Sequence, residues 1–254
     1  MLNAILRGAL AAAFLAIGAA PAAFAEGAHH WSYRGPTGPE HWAGLEHEFA
    51  TCGAGRTQSP IDIRTTAAEK EPLSEIQFEY RPGPLAIVDN GHTIQVNVAP
   101  GSFMEVGGFR YELQQFHFHK PSEEMIDGRH AAMVAHLVHK DEEGRLAVIA
   151  VLLNPGEINP MVATLWNHLP AKKGSEVQAQ DVQVNAADLL PADRSYYTFA
   201  GSLTTPPCSE GVTWFVLKNP ATLSAGEIAR FGDAYPMNAR PVQPLNGRMV
   251  RASD

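Results

Sequence analysis

Gln114-Gln115-Phe116-His117-Phe118-His119 decides how this chain folds and what it holds. In an extended chain, side chains two apart share a face, so His117 and His119 project together while Phe116 and Phe118 pack on the other side. That is half of a metal site. Further on, Met133-Val134-Ala135-His136-Leu137-Val138-His139 is apolar and β-branched enough to form a neighbouring strand. Paired with the first, it supplies His136 as a third imidazole, the ligand set that suits a catalytic zinc with its fourth position open. The period of two turns His139 to the opposite face, where a structural, hydrogen-bonded histidine is expected.

The same alternation extends the sheet in both directions. Arg56-Thr57-Gln58-Ser59-Pro60-Ile61-Asp62-Ile63 ends in a short alternating strand. Further strands are expected over 76–80, 85–89, 92–98, 102–106, 110–119, 133–140, 146–153, 195–201 and 212–217. Turn signals such as Asn90-Gly91, Gly107-Gly108, Asp127-Gly128 and Glu143-Gly144 separate several of them, and such short connectors favour antiparallel pairing. Helices are few. Asn159-Pro160 offers a cap and a first-turn proline for a helix to Leu169, and Ser224 to Glu227 has capping-box spacing for one to about Ala234. The expected fold is mainly β (α+β): a large, twisted, mostly antiparallel sheet with short peripheral helices.

The chain of 254 residues opens with a secretory leader pattern over residues 1–25: Arg7, an apolar run over 10–20, then Ala23-Phe24-Ala25 as a small-x-small cleavage signal. Residues 26–254 fit one large domain. The net charge of −8 becomes −9 once Arg7 is removed, and with no long basic run nucleic acid is not an expected partner. No second apolar stretch is long enough to span a membrane. In an exported chain the isolated pair Cys52 and Cys208 is most simply one disulfide, the alternative being two buried thiols. Residues 29–42 hold His29, His30, Trp31, Tyr33, His41 and Trp42 among Gly and Pro, an irregular aromatic segment laid over the body of the protein.

Taken together, these stretches resemble the α-class carbonic anhydrases of the secreted bacterial type. The resemblance is carried by His30-Trp31-Ser32-Tyr33, Gly38-Pro39-Glu40-His41-Trp42, Gln58 to Ile63, Asn90-Gly91-His92, Gln115 to His119, Ser122-Glu123, His136 to His139, Gly201 to Pro207, Val212-Thr213-Trp214 and Asn238-Ala239-Arg240-Pro241. It implies a periplasmic or secreted zinc enzyme, monomer or homodimer, that hydrates CO2 to bicarbonate, with Zn2+ on His117, His119 and His136. It implies a gatekeeping pair, Thr204 and Glu123, and a proton shuttle, His92, whose imidazole class titrates near neutrality. Tyr33, Asn90 and Gln95 are then candidates to order water. Val138, Val148, Leu203, Val212 and Trp214 are candidates for a dry wall beside CO2, with Thr204 and Thr205 at the substrate.

Some positions depart from the commonest family pattern. Many relatives carry a glutamate two residues before the third histidine; this chain has Val134, so the site is expected to bind zinc less tightly or to find another group for His136. Glu124, beside Glu123, reads as a surface carboxylate. Lys120 is expected to turn out to solvent. Phe199 stands where animal relatives usually have tyrosine, which removes a hydroxyl near Thr204. A binding domain without catalysis, or a zinc hydrolase of activated esters, are the competing functions; the retained histidines argue against the first and the small apolar pocket against the second.

Overall fold

Residues 31–254 are described by a computed structural model, so the expected leader at residues 1–25, together with His29 and His30, lies outside the described residues. The elements that place the site are, in chain order, β1 (Gly83–Asp89), β2 (Ile94–Asn97), β3 (Phe103–Val106), β4 (Phe109–His119), β5 (Met133–Lys140), β6 (Leu146–Pro155), α1 (Pro160–Asn167), β7 (Ser175–Val184), β8 (Tyr196–Ser202), β9 (Glu210–Leu217) and α2 (Ala225–Ala234). The strands belong to one 13-stranded sheet, in which they lie in the order β7-β1-β2-β4-β5-β6-β9-β8, with β3 paired to β4 beside that path. Every pairing among these strands is antiparallel except β6 with β9. That exception has a topological cause. Parallel neighbours need a long crossover, and the chain between β6 and β9 passes through α1, β7 and β8 first.

Alternation divides the sheet into two faces. From β4 and β5, Phe116, Phe118, Met133, Ala135 and Leu137 enter the main core, where they meet Val162, Leu165 and Trp166 of α1 and Phe231 of α2. Burying one such large side chain contributes about 2 kcal/mol. On the other face, Val134 and Val138 join Ile61, Ile63, Val148, Val212 and Trp214 in a second apolar cluster. The histidines project on this second side.

Both helices start as expected. Asn159 Oδ1 accepts from the amides of Met161 (3.0 Å) and Val162 (3.1 Å) ahead of Pro160, although α1 ends at Asn167 rather than Leu169. Ser224 and Glu227 satisfy each other's backbone amides in a reciprocal capping box at α2. One long strand, β7, carries no strong hydrophobic mark. It is rich in Gln, pairs among the described residues with β1 alone, and buries one half-covered side, Val177, Ala179, Val182 and Val184, against the main core.

Two smaller features bring distant segments to the site. Asp62–Ile63 pairs in parallel with Met125–Ile126, which forms a hairpin with Arg129–His130 over an Asp127-Gly128 turn at positive φ. Cys52 and Cys208 are bonded (S–S 2.07 Å), which closes the chain across 156 positions and removes entropy from the unfolded state. Among the described residues, no helix is long and apolar enough to cross a membrane.

Candidate metal centre and active site

Register does the first assembly step. β5 runs against β4 with His136 directly opposite His117 and Val134 opposite His119. The three rings lie 4.8–5.5 Å apart by centroid, and one ring nitrogen from each falls within 4.8 Å of the others.

The remaining nitrogen of every ring meets an oxygen. His117 Nδ1 is 2.8 Å from Gln115 Oε1, His119 Nδ1 is 2.7 Å from the Asn238 carbonyl, and His136 Nε2 is 3.0 and 3.2 Å from the two oxygens of Glu124. Each oxygen accepts, so the proton belongs on that outer nitrogen and the lone pair on the inner one. Nε2 of His117, Nε2 of His119 and Nδ1 of His136 therefore face one another as bases. His119 Nε2 is fully buried and has no hydrogen-bond partner among the described residues. An orphaned buried acceptor costs about 1–3 kcal/mol, and a cation shared by the three nitrogens removes that cost. Burial, followed by the neighbouring His136, pushes His117 down to about 3 and holds His119 well below the ordinary histidine range. Three imidazole nitrogens gathered in this way suit Zn2+, whose catalytic sites take a further ligand in the fourth position.

Glu123 lies at the back of this cluster and is fully buried. Its Oε1 accepts from the Arg240 amide at 2.7 Å, and its Oε2 is 3.9 Å from His136 Nδ1. Burial pushes its carboxyl up to about 7, against the lowering influence of His136, the Arg240 amide and the Thr204 hydroxyl. Thr204 is itself buried, and its hydroxyl is among the groups that hold the Glu123 carboxyl down. Among the described residues Oε2 has no partner of strict hydrogen-bond geometry, and His136 and the Thr204 hydroxyl both bear on this carboxylate.

Glu124 corrects the sequence reading. Far from being a surface carboxylate, it is fully buried and bound to His136. Ser122 explains its inward course: the hydroxyl donates to the Glu124 carbonyl (2.7 Å) and accepts from the Ala131 amide (2.9 Å), so the loop is tied across its own hairpin. His136 is the one ring of the three whose pKa is raised, because Glu124 and then Glu123 outweigh the burial that opposes its charge.

The other expected residues fall around this centre. His92 stacks on Trp31 with centroids 3.6 Å apart and planes 7° off parallel, and its amide donates to Asn90 Oδ1. Asn90 therefore spends its carbonyl on the turn, while Gln95 donates to Asn97 at 2.7 Å and lies opposite His117 across β2 and β4. Tyr33 packs edge-on against Trp31 and Trp42; burial, then Glu123, holds its phenol well above the usual tyrosine range, so it stays protonated. Val138, Val148, Leu203, Val212 and Trp214 belong to the one apolar cluster on this face, with Trp214 edge-on to His136, and Thr205 follows Thr204 in the adjoining loop. Phe199 stacks parallel to Trp214. Lys120 does not stand out in solvent: it is half-buried along α2, where a β-carbon on Gly232 would come within 3.0 Å of its Nζ.

Two supporting residues had no role assigned from the sequence. Asn238 gives its carbonyl to His119, accepts from the Lys120 amide (2.8 Å) and donates to the carbonyls of Phe118 and His92. Arg240, also buried, donates to Gln58, the Ser59 carbonyl and the Cys52 carbonyl, joining the disulfide to the Glu123 anchor. Burial lowers its pKa to about 10, which leaves it cationic at neutral pH. Both sit in the quoted Asn238 to Pro241 stretch, whose motif is visible but whose long-range bonds are not.

Residues 37–254 match the family model described as eukaryotic-type carbonic anhydrase. A carbonic anhydrase of Klebsiella pneumoniae is 47% identical over 228 residues, covering 88% of this chain and 91% of the relative. One of Pectobacterium carotovorum is 46% identical over 225 residues, covering 87% and 90%. Among solved structures, the α-carbonic anhydrase of Thermovibrio ammonificans in complex with the inhibitor sulfanilamide superposes with a TM-score of 0.86 at 41% identity, covering 89% of this chain and 100% of that one.

Proposed function

The chain belongs to the eukaryotic-type, or α-class, carbonic anhydrase family, and we propose that it interconverts CO2 and bicarbonate with a zinc ion held by His117, His119 and His136. The observation that carries the zinc reading is the set of three inward lone pairs, each fixed by an oxygen behind its ring. Bound there, zinc would lower the pKa of a coordinated water to about 7, a value general to this enzyme class rather than one obtained from this chain, and so supply a nucleophile near neutral pH.

The protein's own residues do the rest. With its proton committed to Glu123, the Thr204 hydroxyl can only accept at the site, which selects a ligand that donates and turns that ligand's lone pair toward substrate. The Thr204 amide is the donor for a bicarbonate oxygen, with Thr205 beside it. CO2 has no strong dipole to grip, so Val138, Val148, Leu203, Val212 and Trp214 hold it by excluding water. His92 takes up the proton released in each turnover through water ordered by Tyr33, Asn90 and Gln95, and passes it to buffer.

The compartment follows from the leader pattern over residues 1–25, supported by the Cys52–Cys208 bond: export, cleavage ahead of Glu26, and a mature domain over 26–254 in the periplasm or medium, as a monomer or homodimer. Stopped-flow CO2 hydration by the zinc-loaded mature protein tests the function. Rapid hydration that disappears in His117→Ala is expected. A zinc-loaded protein no faster than buffer overturns the proposal.

A further inference from the structure

Glu124 and Val134 together pose a question about the third histidine. Val134 is fully buried among Ile61, Ile63 and Val148, and it offers His136 no hydrogen bond. Left to β5 alone, the His136 ring would have a buried Nε2 with no acceptor and nothing to choose which nitrogen it presents to a metal. Glu124 fills that need from elsewhere in the chain, with both carboxylate oxygens at hydrogen-bond distance from Nε2.

We infer that Glu124 is the positioning residue for His136: a carboxylate from the loop before the 125–130 hairpin, rather than a side chain of β5 itself, holds this ring. The inference rests on the metal-binding reading above. Three observations support it. A fully buried carboxylate is costly to desolvate, and His136 Nε2 is the hydrogen-bond partner that offsets that cost here. The peptide unit that follows Glu124 is held twice, by the Ser122 hydroxyl at the Glu124 carbonyl and by the Met125 amide donating to the Ile61 carbonyl (3.2 Å), which fixes where its backbone stands relative to β5. Glu123 cannot substitute for it, because Glu123 approaches the other nitrogen, Nδ1, at 3.9 Å. Adjacent carboxylates thus divide the work: Glu123 bears on Thr204, and Glu124 fixes the tautomer and raises the basicity of a ligand.

The test measures zinc release to a chromogenic chelator from the parent, Glu124→Gln, Glu124→Ala, His136→Ala and the relocation variant Glu124→Ala/Val134→Glu. It is paired with the imidazole N–H resonances of the zinc-loaded proteins. Glu124→Ala should bind zinc ~10–100-fold more weakly and lose the exchange-protected Nε2–H signal of His136. Glu124→Gln, which keeps shape and an acceptor oxygen but no charge, should fall between, and it decides the matter if the alanine variant fails to fold. A folded relocation variant should regain most of the lost affinity. A parent that takes up no zinc, or His136→Ala binding as tightly as the parent, overturns the metal-site reading itself. Zinc lost in His136→Ala but held at parental affinity, with the Nε2–H signal intact, in Glu124→Ala or Glu124→Gln overturns the assignment of Glu124 alone.

Discussion

His92 shows how far one residue's role depends on what surrounds its ring. The stack on Trp31 fixes the plane of the imidazole, while the backbone is pinned by Asn90 at its amide and Asn238 at its carbonyl. A proton carrier placed this way should be replaceable by a soluble one. His92→Ala is expected to slow CO2 hydration in dilute buffer, with added imidazole restoring it; hydration at the parental rate in dilute buffer would remove the role. Glu123 and Glu124 mark what one residue's sequence context conceals. Period two points His117, His119 and His136 to one side and makes them legible, but residues 120–124 form a loop without a period. Nothing local says that both carboxylates turn inward. The Ser122 ties that turn them become visible only once the hairpin is folded.

At the scale of the element, β5 carries two histidines with opposite lives. His136 faces the metal cluster, while His139 faces the main core, where its Nε2 lies 2.7 Å from the Tyr80 hydroxyl. Burial pushes His139 down to about 3, whereas in the unfolded chain it titrates near the ordinary value of about 6.5. Between those values the unfolded state binds a proton that the folded state does not, so stability falls as pH falls, by at most about 1.4 kcal/mol per pH unit from this group. His139→Gln should flatten the acid limb of a stability-against-pH curve between pH ~6 and ~4, measured by urea unfolding. An unchanged slope would show that His139 already protonates in the folded state. Element type was legible wherever one side of a strand is apolar, as in β4, β5 and β6. It was not in β7, an edge strand whose half-covered side holds only Val and Ala among glutamines, because its pairing with β1 rather than its own burial makes it a strand.

At the scale of the whole molecule, the metal ligands come from one hairpin-like pair of strands, but what holds them comes from both ends of the chain. Asn238 bonds to His119 and the His92 turn, and Arg240 joins Glu123 to Gln58 and to Cys52, which the disulfide ties to Cys208 and the Thr204 loop. Such contacts were out of reach of local pattern; only the family resemblance placed those stretches in one site, and it named no bonds. These long-range ties leave three specific lone pairs, one from each metal-site histidine, facing a common point. Anomalous scattering at the zinc edge, from crystals of the mature protein, tests this arrangement most directly. One zinc per chain is expected, bonded to Nε2 of His117, Nε2 of His119 and Nδ1 of His136, with Glu124 on the far nitrogen of His136. A zinc bonded through a different nitrogen of these rings, or bound away from them, would contradict it.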